Sequence, residues 1–223
     1  FTVDNTVPVI NLTSPEDGGF ISAGTDIELT ITEDNLDVAT YTNDTDEVVE
    51  FDDPFDIDTT GWPDGEYTIT VTATDMALNE ATMDYTINID SSAPNITLVS
   101  PEDGAYISAG TTIDVAITEA NLEAATYTNE TGDEVNLTTP FDIDTTGWAE
   151  GEYNITVYAN DTAGNEAEET FTFTIDGTAP TVVSVAPADD AVDVALDATV
   201  VITFSEEMDN ASVVVTFAPT TAF

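Results

Sequence analysis

The chain has 223 residues, 41% of them hydrophobic, and carries 46 Asp and Glu with no Lys, Arg or His, a formal net charge of −46. Lys and Arg make up roughly a tenth of an average protein, so their complete absence reads as selected, and the charge argues against nucleic acid or an anionic membrane surface as a partner. With Cys also missing, the composition excludes Ser-His and Cys-His nucleophiles, Schiff bases, phosphate clamps, disulfides and zinc held by nitrogen or sulfur.

Isopeptide and ester crosslinks that need Lys or Gln are excluded as well, since neither residue occurs. Oxygen chemistry remains. Asp, Glu, Asn and backbone carbonyls are hard ligands that suit Ca²⁺ and, less well, Mg²⁺.

In chain order, Phe1-Thr-Val-Asp4 returns as Ile87-Asn-Ile-Asp90 and again as Phe173-Thr-Ile-Asp176, at a spacing of 86 residues. Each copy reads as a strand end running into a linker that closes on Pro8, Pro94 or Pro180. Residues 1–4 are therefore expected to be the last strand of a preceding repeat, and the chain a window on a longer array.

The first full repeat spans residues 5–90. Strands are predicted at 9–13, 27–32, 38–42, 48–51, 55–58, 66–74 and 82–89, with turns such as Pro15-Glu-Asp-Gly18 between them. The clearest runs from Glu66 to Thr74, where Tyr67, Ile69, Val71 and Ala73 alternate with Thr, the signature of a half-buried strand. Seven short strands in one such span predict an antiparallel sandwich. The second repeat, 91–176, follows without a gap: Phe55-Asp-Ile-Asp-Thr-Thr-Gly-Trp62 returns as Phe141-Asp-Ile-Asp-Thr-Thr-Gly-Trp148. No stretch reads as a long amphipathic helix, a signal peptide or a transmembrane span.

The pattern Gly-x-Tyr-x-Ile-x-Val-x-Ala-x-Asp, then Ala163-Gly164-Asn165, then a strand ending in Ile-Asp-x-x-Ala-Pro, resembles the tandem Ig-like repeats of bacterial and archaeal surface proteins. The resemblance covers about residues 1–180 and implies an all-β fold of Ig-like antiparallel sandwiches in a linear array. The first copy departs from the pattern at Ala77-Leu78-Asn79. Gly permits a left-handed turn there and Leu does not do so cheaply, so the two loops are expected to differ. From residue 177 to 223, Val182 to Leu196 and then Val200 to Asp209 resemble the start of an SbsA-type Ig-like domain of S-layer proteins. That domain is expected to be cut short, or else completed by strands from a neighbour.

In the topology that the resemblance implies, each sandwich gathers the incoming linker, the loop after its second strand and the loop joining its last two strands. That would collect Asp4, Glu33, Asp75 and Asn79 in the first repeat, and Asp90, Glu119, Asp161 and Asn165 in the second. Asp176 and Glu206 stand at the third junction. Such sets fit a Ca²⁺ shell, and they also fit plain turn chemistry, with side chains bonded to nearby backbone.

Trp62 and Trp148 are read as covers over the bottom of each sandwich beside Tyr67 and Tyr153 rather than as sugar platforms. Carboxylate pairs such as Asp56 with Asp58, or Asp52 with Asp53, lack the cleft a glycosidase needs, so no enzymatic activity is expected. Sequons of the form Asn-x-Ser/Thr begin at Asn11, Asn43, Asn95, Asn129, Asn136, Asn154, Asn160 and Asn210, where chance gives roughly three. Thr-rich strands also create sequons by accident; a selected excess points to a secreted, N-glycosylated protein, archaeal among prokaryotes.

The expected function is a non-enzymatic stalk or fibre on a cell surface, stiffened by Ca²⁺ at acidic joints. Its partners would be further repeats of the same chain. One alternative is an S-layer or filament subunit built from identical protomers; another is an adhesin module that binds glycans.

Overall fold

The computed structural model describes residues 3–45, 47–129, 132–208 and 213–216. Phe1, Thr2 and the sequon residue Asn210 lie outside these. Among the described residues the regular elements are all strands, and no helix is long and apolar enough to cross a membrane. The chain divides into two compact units, Phe1–Ile175 and Asp176–Phe223.

The first unit holds two sandwiches of like design. In the first, β1 (Val9–Ser14), β3 (Ile27–Thr32) and β6 (Phe55–Ile57) make one sheet in the order β1-β3-β6. The other has the order β2-β8-β7-β4-β5, from β2 (Phe20–Ile21), β4 (Leu36–Thr42), β5 (Val49–Glu50), β7 (Gly65–Asp75) and β8 (Glu80–Ile89). All pairings are antiparallel except β2 on β8. The second sandwich repeats the plan. Its sheets are β14-β11-β9 and β10-β16-β15-β12-β13, formed by β9 (Asn95–Ser100), β10 (Tyr106–Ile107), β11 (Thr112–Thr118), β12 (Leu122–Thr128), β13 (Glu134–Asn136), β14 (Phe141–Asp144), β15 (Gly151–Asp161) and β16 (Glu166–Ile175).

Alternation along the strands builds each core. In β7 the side chains of Ile69, Val71 and Ala73 are buried while the Thr residues between them are not; in β15 Ile155, Val157 and Ala159 do the same. Across the sandwich they meet Ile10, Ile27, Leu29 and Ile57 in the first core, and Ile96, Ile113, Val115 and Ile143 in the second. Each fully buried aliphatic side chain contributes about 1.5–3 kcal/mol of hydrophobic stabilisation.

Among the described residues each sandwich has eight strands, not the predicted seven. The additions are β2 and β10, which run parallel to β8 and β16 for two residues each. Two residues are too few to show any alternation, so only the tertiary pairing reveals them.

A buried hydroxyl fixes the loop before each Trp. Thr59 Oγ1 donates to Thr25 O at 2.7 Å and accepts from Gly24 N at 2.9 Å. Thr145 makes the same two bonds to Thr111 O and Gly110 N, at 2.7 and 3.0 Å. Both Thr residues are fully buried, and each satisfies two backbone groups that would otherwise lose water without replacement.

The second unit contains β17 (Val182–Ala186) and β18 (Val201–Phe204), paired antiparallel from Val182 against Phe204 to Ala186 against Val201. Ser205 closes the hairpin's open end: its Oγ accepts from Thr181 N and its N–H donates to Thr181 O, both at 2.9 Å. Val182, Val183, Val185 and Val201 are exposed on this pair.

Candidate metal centre

Two loops and a linker converge at the entry of each sandwich. In the first, Asp4 belongs to the linker, Glu33 follows β3, and Asp75 ends β7. One carboxylate oxygen from each lies within 4.8 Å of the other two, and Asp90, Glu119 and Asp161 repeat the arrangement in the second. The spacing lies within the limit for one shared ion. Oxygens each about 2.4 Å from a shared ion can stand no more than about 4.8 Å apart, so three carboxylates already satisfy the geometric limit for one ion.

The buried member of each set is locked by its own loop. Asp75 Oδ1 accepts from Ala77 N and Asn79 N, both at 2.8 Å, and Oδ2 accepts from Asn79 Nδ2 at 2.8 Å. Asp161 takes the equivalent three bonds from Ala163 N, Asn165 N and Asn165 Nδ2, at 2.9, 2.9 and 2.8 Å. Burial pushes the Asp75 carboxyl up, but hydrogen bonds from the Asn79 side chain and backbone, Ala77 N and Leu78 N together outweigh it and hold the group below the usual carboxylate range. The outer members are capped more lightly: Asn35 N on Glu33, Asn121 N on Glu119, Thr6 N on Asp4 and Ser92 N on Asp90. Turn chemistry and carboxylate convergence therefore coexist in the same residues.

Asn79 and Asn165 present nitrogen, not oxygen, to this cluster. Besides its bond to Asp75, Asn79 Nδ2 donates to the linker carbonyl of Asp4 at 3.2 Å; Asn165 Nδ2 donates to Asp90 O at 2.8 Å. Each Asn thus clamps the incoming linker onto the last loop of the sandwich. Sequence reasoning missed Asn121, whose Nδ2 reaches Asp90 Oδ2 at 3.0 Å, and Asp64, which accepts from Ser91 N at 2.9 Å and Ser92 Oγ at 3.1 Å. Ser91 Oγ also accepts from Ala23 N at 3.0 Å. The recurrence of Asn35 as Asn121 at the repeat spacing was the available signal for the first. At the third junction Asp176 accepts from Thr178 N at 3.0 Å. Glu206 keeps a buried Oε1 without a hydrogen-bond partner, and no carboxylate triad forms there among the described residues.

The two β-hairpin loops adopt one conformation, against expectation. Leu78 has φ +65° and Gly164 +85°; Leu78 N bonds to Asp75 O at 3.0 Å and Gly164 N to Asp161 O at 3.2 Å. The Asp–Asn clamp imposes the turn, and Leu78 accepts a left-handed backbone that costs a non-glycine residue about 1–2 kcal/mol. Its side chain is exposed, so little packing offsets that strain. Leu78→Gly should therefore stabilise the first sandwich by about 0.5–1 kcal/mol, the relief of strain being partly offset by the greater freedom of unfolded Gly. Chemical denaturation followed by tryptophan fluorescence measures it.

The other candidates fall into structural places. Trp62 and Trp148 are partly buried against their cores, with ring centroids 4.9 Å from Tyr67 and 4.7 Å from Tyr153. Those Tyr hydroxyls donate back to Pro63 O and Ala149 O at 2.9 and 3.1 Å, the tyrosine-corner arrangement. Hydrogen bonds from Thr60 hold Asp58 below the usual carboxylate range, opposite to the raised pKa of a glycosidase acid. Asp56 pairs with Glu28 across β3 and β6.

Asn11, Asn95, Asn136 and Asn154 are exposed. Asn43 and Asn129 follow β4 and β12 at matching places, and Asn160 lies on β15 beside the acidic cluster.

Residues 101–177 and 176–222 each match a family model described as a bacterial Ig-like domain, and residues 52–131 match a bacterial Ig-like domain of group 3. The fold is Ig-like. The group 3 match straddles both sandwiches, a phase shift that an 86-residue repeat permits. No curated protein matches the chain.

Among solved structures, the fibronectin(III)-like modules of Clostridium thermocellum CbhA share 16% identity at a TM-score of 0.50, over 75% of this chain and 94% of theirs. A tetra-tandem repeat from the extending region of a large adhesion protein shares 19% at 0.33, over 84% of this chain and 53% of that one. A Bacteroides ovatus glucan-utilisation protein, SGBP-B, solved with a mixed-linkage heptasaccharide, shares 18% at 0.32, over 77% and 48%.

Proposed function

We propose that the chain is a non-enzymatic structural segment of an extracellular stalk or fibre, in which the joints leading into the first and second Ig-like repeats are clamped by Asn and stiffened by Ca²⁺. The carrying observation is that linker and loops bring three carboxylates within 4.8 Å of one another twice, at equivalent places. Asp4, Glu33 and Asp75 would hold one ion, and Asp90, Glu119 and Asp161 the other, with carbonyls and water completing the shell. In a chain with no basic residue, a divalent cation neutralises charge that no side chain can.

Support for an exterior location comes from the sequons. Asn136 and Asn154 share the outward face of one sheet, where N-glycans fit without disturbing the core. A second reading, a subunit of an S-layer or filament in the manner of the SbsA-type domain, has the exposed valines of β17 and β18 behind it: strands lent by a neighbouring protomer would cover them.

Calorimetric unfolding with calcium or chelator, at low and high sodium chloride, tests the calcium joint. Calcium at a hundredfold excess over its dissociation constant should stabilise by about 2.7 kcal/mol per occupied site, and magnesium by less. A melting temperature that ignores calcium at constant ionic strength would falsify the ion-stiffened joint; a rise with salt alone would leave only relief of self-repulsion.

A further inference from the structure

The sheet faces of the two repeats differ around one groove. On the outer face of β12, β15 and β16 lies a groove of about 510 Å³ lined by residues including Ala124, Thr126, Glu134, Tyr158, Glu166 and Glu168. Register places Tyr158 between Thr126 on β12 and Glu168 on β16, and the Tyr158 side chain is 38% exposed. Beneath the groove Ala125 and Ala159 face the core. The equivalent face of the first repeat has Thr72 at the Tyr158 position, Thr82 at the Glu168 position, Val38 at the Ala124 position and Val48 at the Glu134 position. There Thr72 and Thr82 meet hydroxyl to hydroxyl at 3.2 Å. The first repeat has Ala39, Ala73 and Ala81 under the same face, keeps Glu80 in place of Glu166, and carries Glu50 and Asp84 where the second has Asn136 and Thr170, so what the second repeat adds is the aromatic wall and the placing of two carboxylates, Glu134 and Glu168, beside it.

We propose that this groove docks a cationic segment of a partner protein, presenting Lys or Arg between the Tyr158 ring and the carboxylates of Glu134, Glu166 and Glu168. Charge decides the occupant. No Lys, Arg or His exists in these 223 residues to pair these carboxylates, so the complement comes from outside them, and an anionic ligand would meet a segment of net charge −46. A neutral saccharide can stack on an aromatic ring but leaves the carboxylates uncompensated. A guanidinium or ammonium group gains both the ring face and the negative potential.

The test is a titration of the ¹⁵N-labelled chain with a tetralysine peptide and its fully acetylated counterpart, at fixed ionic strength and with calcium present throughout. Amide shifts should concentrate at residues 124–126, 158–160 and 166–168 and spare 38–40, 72–74 and 80–82. The acetylated peptide should leave all of them unmoved. Replacing Tyr158 and Glu168 with the Thr that the first repeat carries at both places, Y158T/E168T, should weaken binding about tenfold. Equal shifts in both repeats would reduce the effect to diffuse attraction and overturn the site, as would unchanged affinity in the variant. A neutral glucan oligosaccharide that shifts the groove residues while tetralysine does not would give the groove to a sugar instead.

Discussion

Asp161→Ala should destabilise the second sandwich by about 3 kcal/mol and slacken its joint to the first. The estimate follows from what the carboxylate holds. Ala163 N, Asn165 N and Asn165 Nδ2 all donate to it, and hydrogen bonds to a charged group contribute about 1.5–3 kcal/mol each, less what water restores once the loop opens. The turn is partly open to solvent on its outer side, so the sum of three full bonds is not lost. Asp161→Asn keeps an acceptor oxygen without the charge and should lose about half as much.

The measurement is chemical denaturation watched through Trp148, with Trp62→Phe removing the other tryptophan. The same substitution should abolish the calcium response of the second joint while leaving that of the first. A loss below about 0.5 kcal/mol would class Asp161 with ordinary surface residues.

The repeat spacing made most of this legible. Because Asp4, Glu33 and Asp75 recur as Asp90, Glu119 and Asp161, their functional kinship shows without coordinates. What single residues in such a cluster do is another matter. An Asn offers either an oxygen or a nitrogen, and which one it turns inward depends on the neighbours: Asp75 Oδ2 and Asp4 O are both acceptors, so Asn79 answers with nitrogen. Leu78 shows the opposite weighting, since local preference argued for a different loop and the three bonds to Asp75 overrode it. Thr59 and Thr145 sit in an octapeptide shared by both copies, yet Thr is so often a surface residue that nothing short of the fold distinguishes them from Thr60 and Thr146, which are exposed. β2 and β10 were illegible for want of length.

Phe173→Ala should cost the second sandwich about 3–5 kcal/mol, the range for deleting a large buried aromatic side chain, and should leave the first one standing. Phe173 is fully buried and lies opposite Tyr153 in the register of β15 and β16. The two cores share no residue. What passes between them is the linker: Asp90 N donates to Ile21 O in the first sandwich, while Asp90 O and Oδ2 accept from Asn165 and Asn121 in the second. A handful of hydrogen bonds couples stability far more weakly than a common core, so thermal unfolding should separate into two transitions, only the second displaced by the substitution. With calcium bound to the Asp90 set the two should draw closer together, because the ion rewards only the state in which linker and loops are in place. Should both transitions instead move in step without calcium, the clamp alone would have to carry the coupling. For a stalk the weak-coupling result is the useful one: a repeat pulled open then leaves its neighbours folded, and the joint, not the core, sets how stiffly the array transmits load.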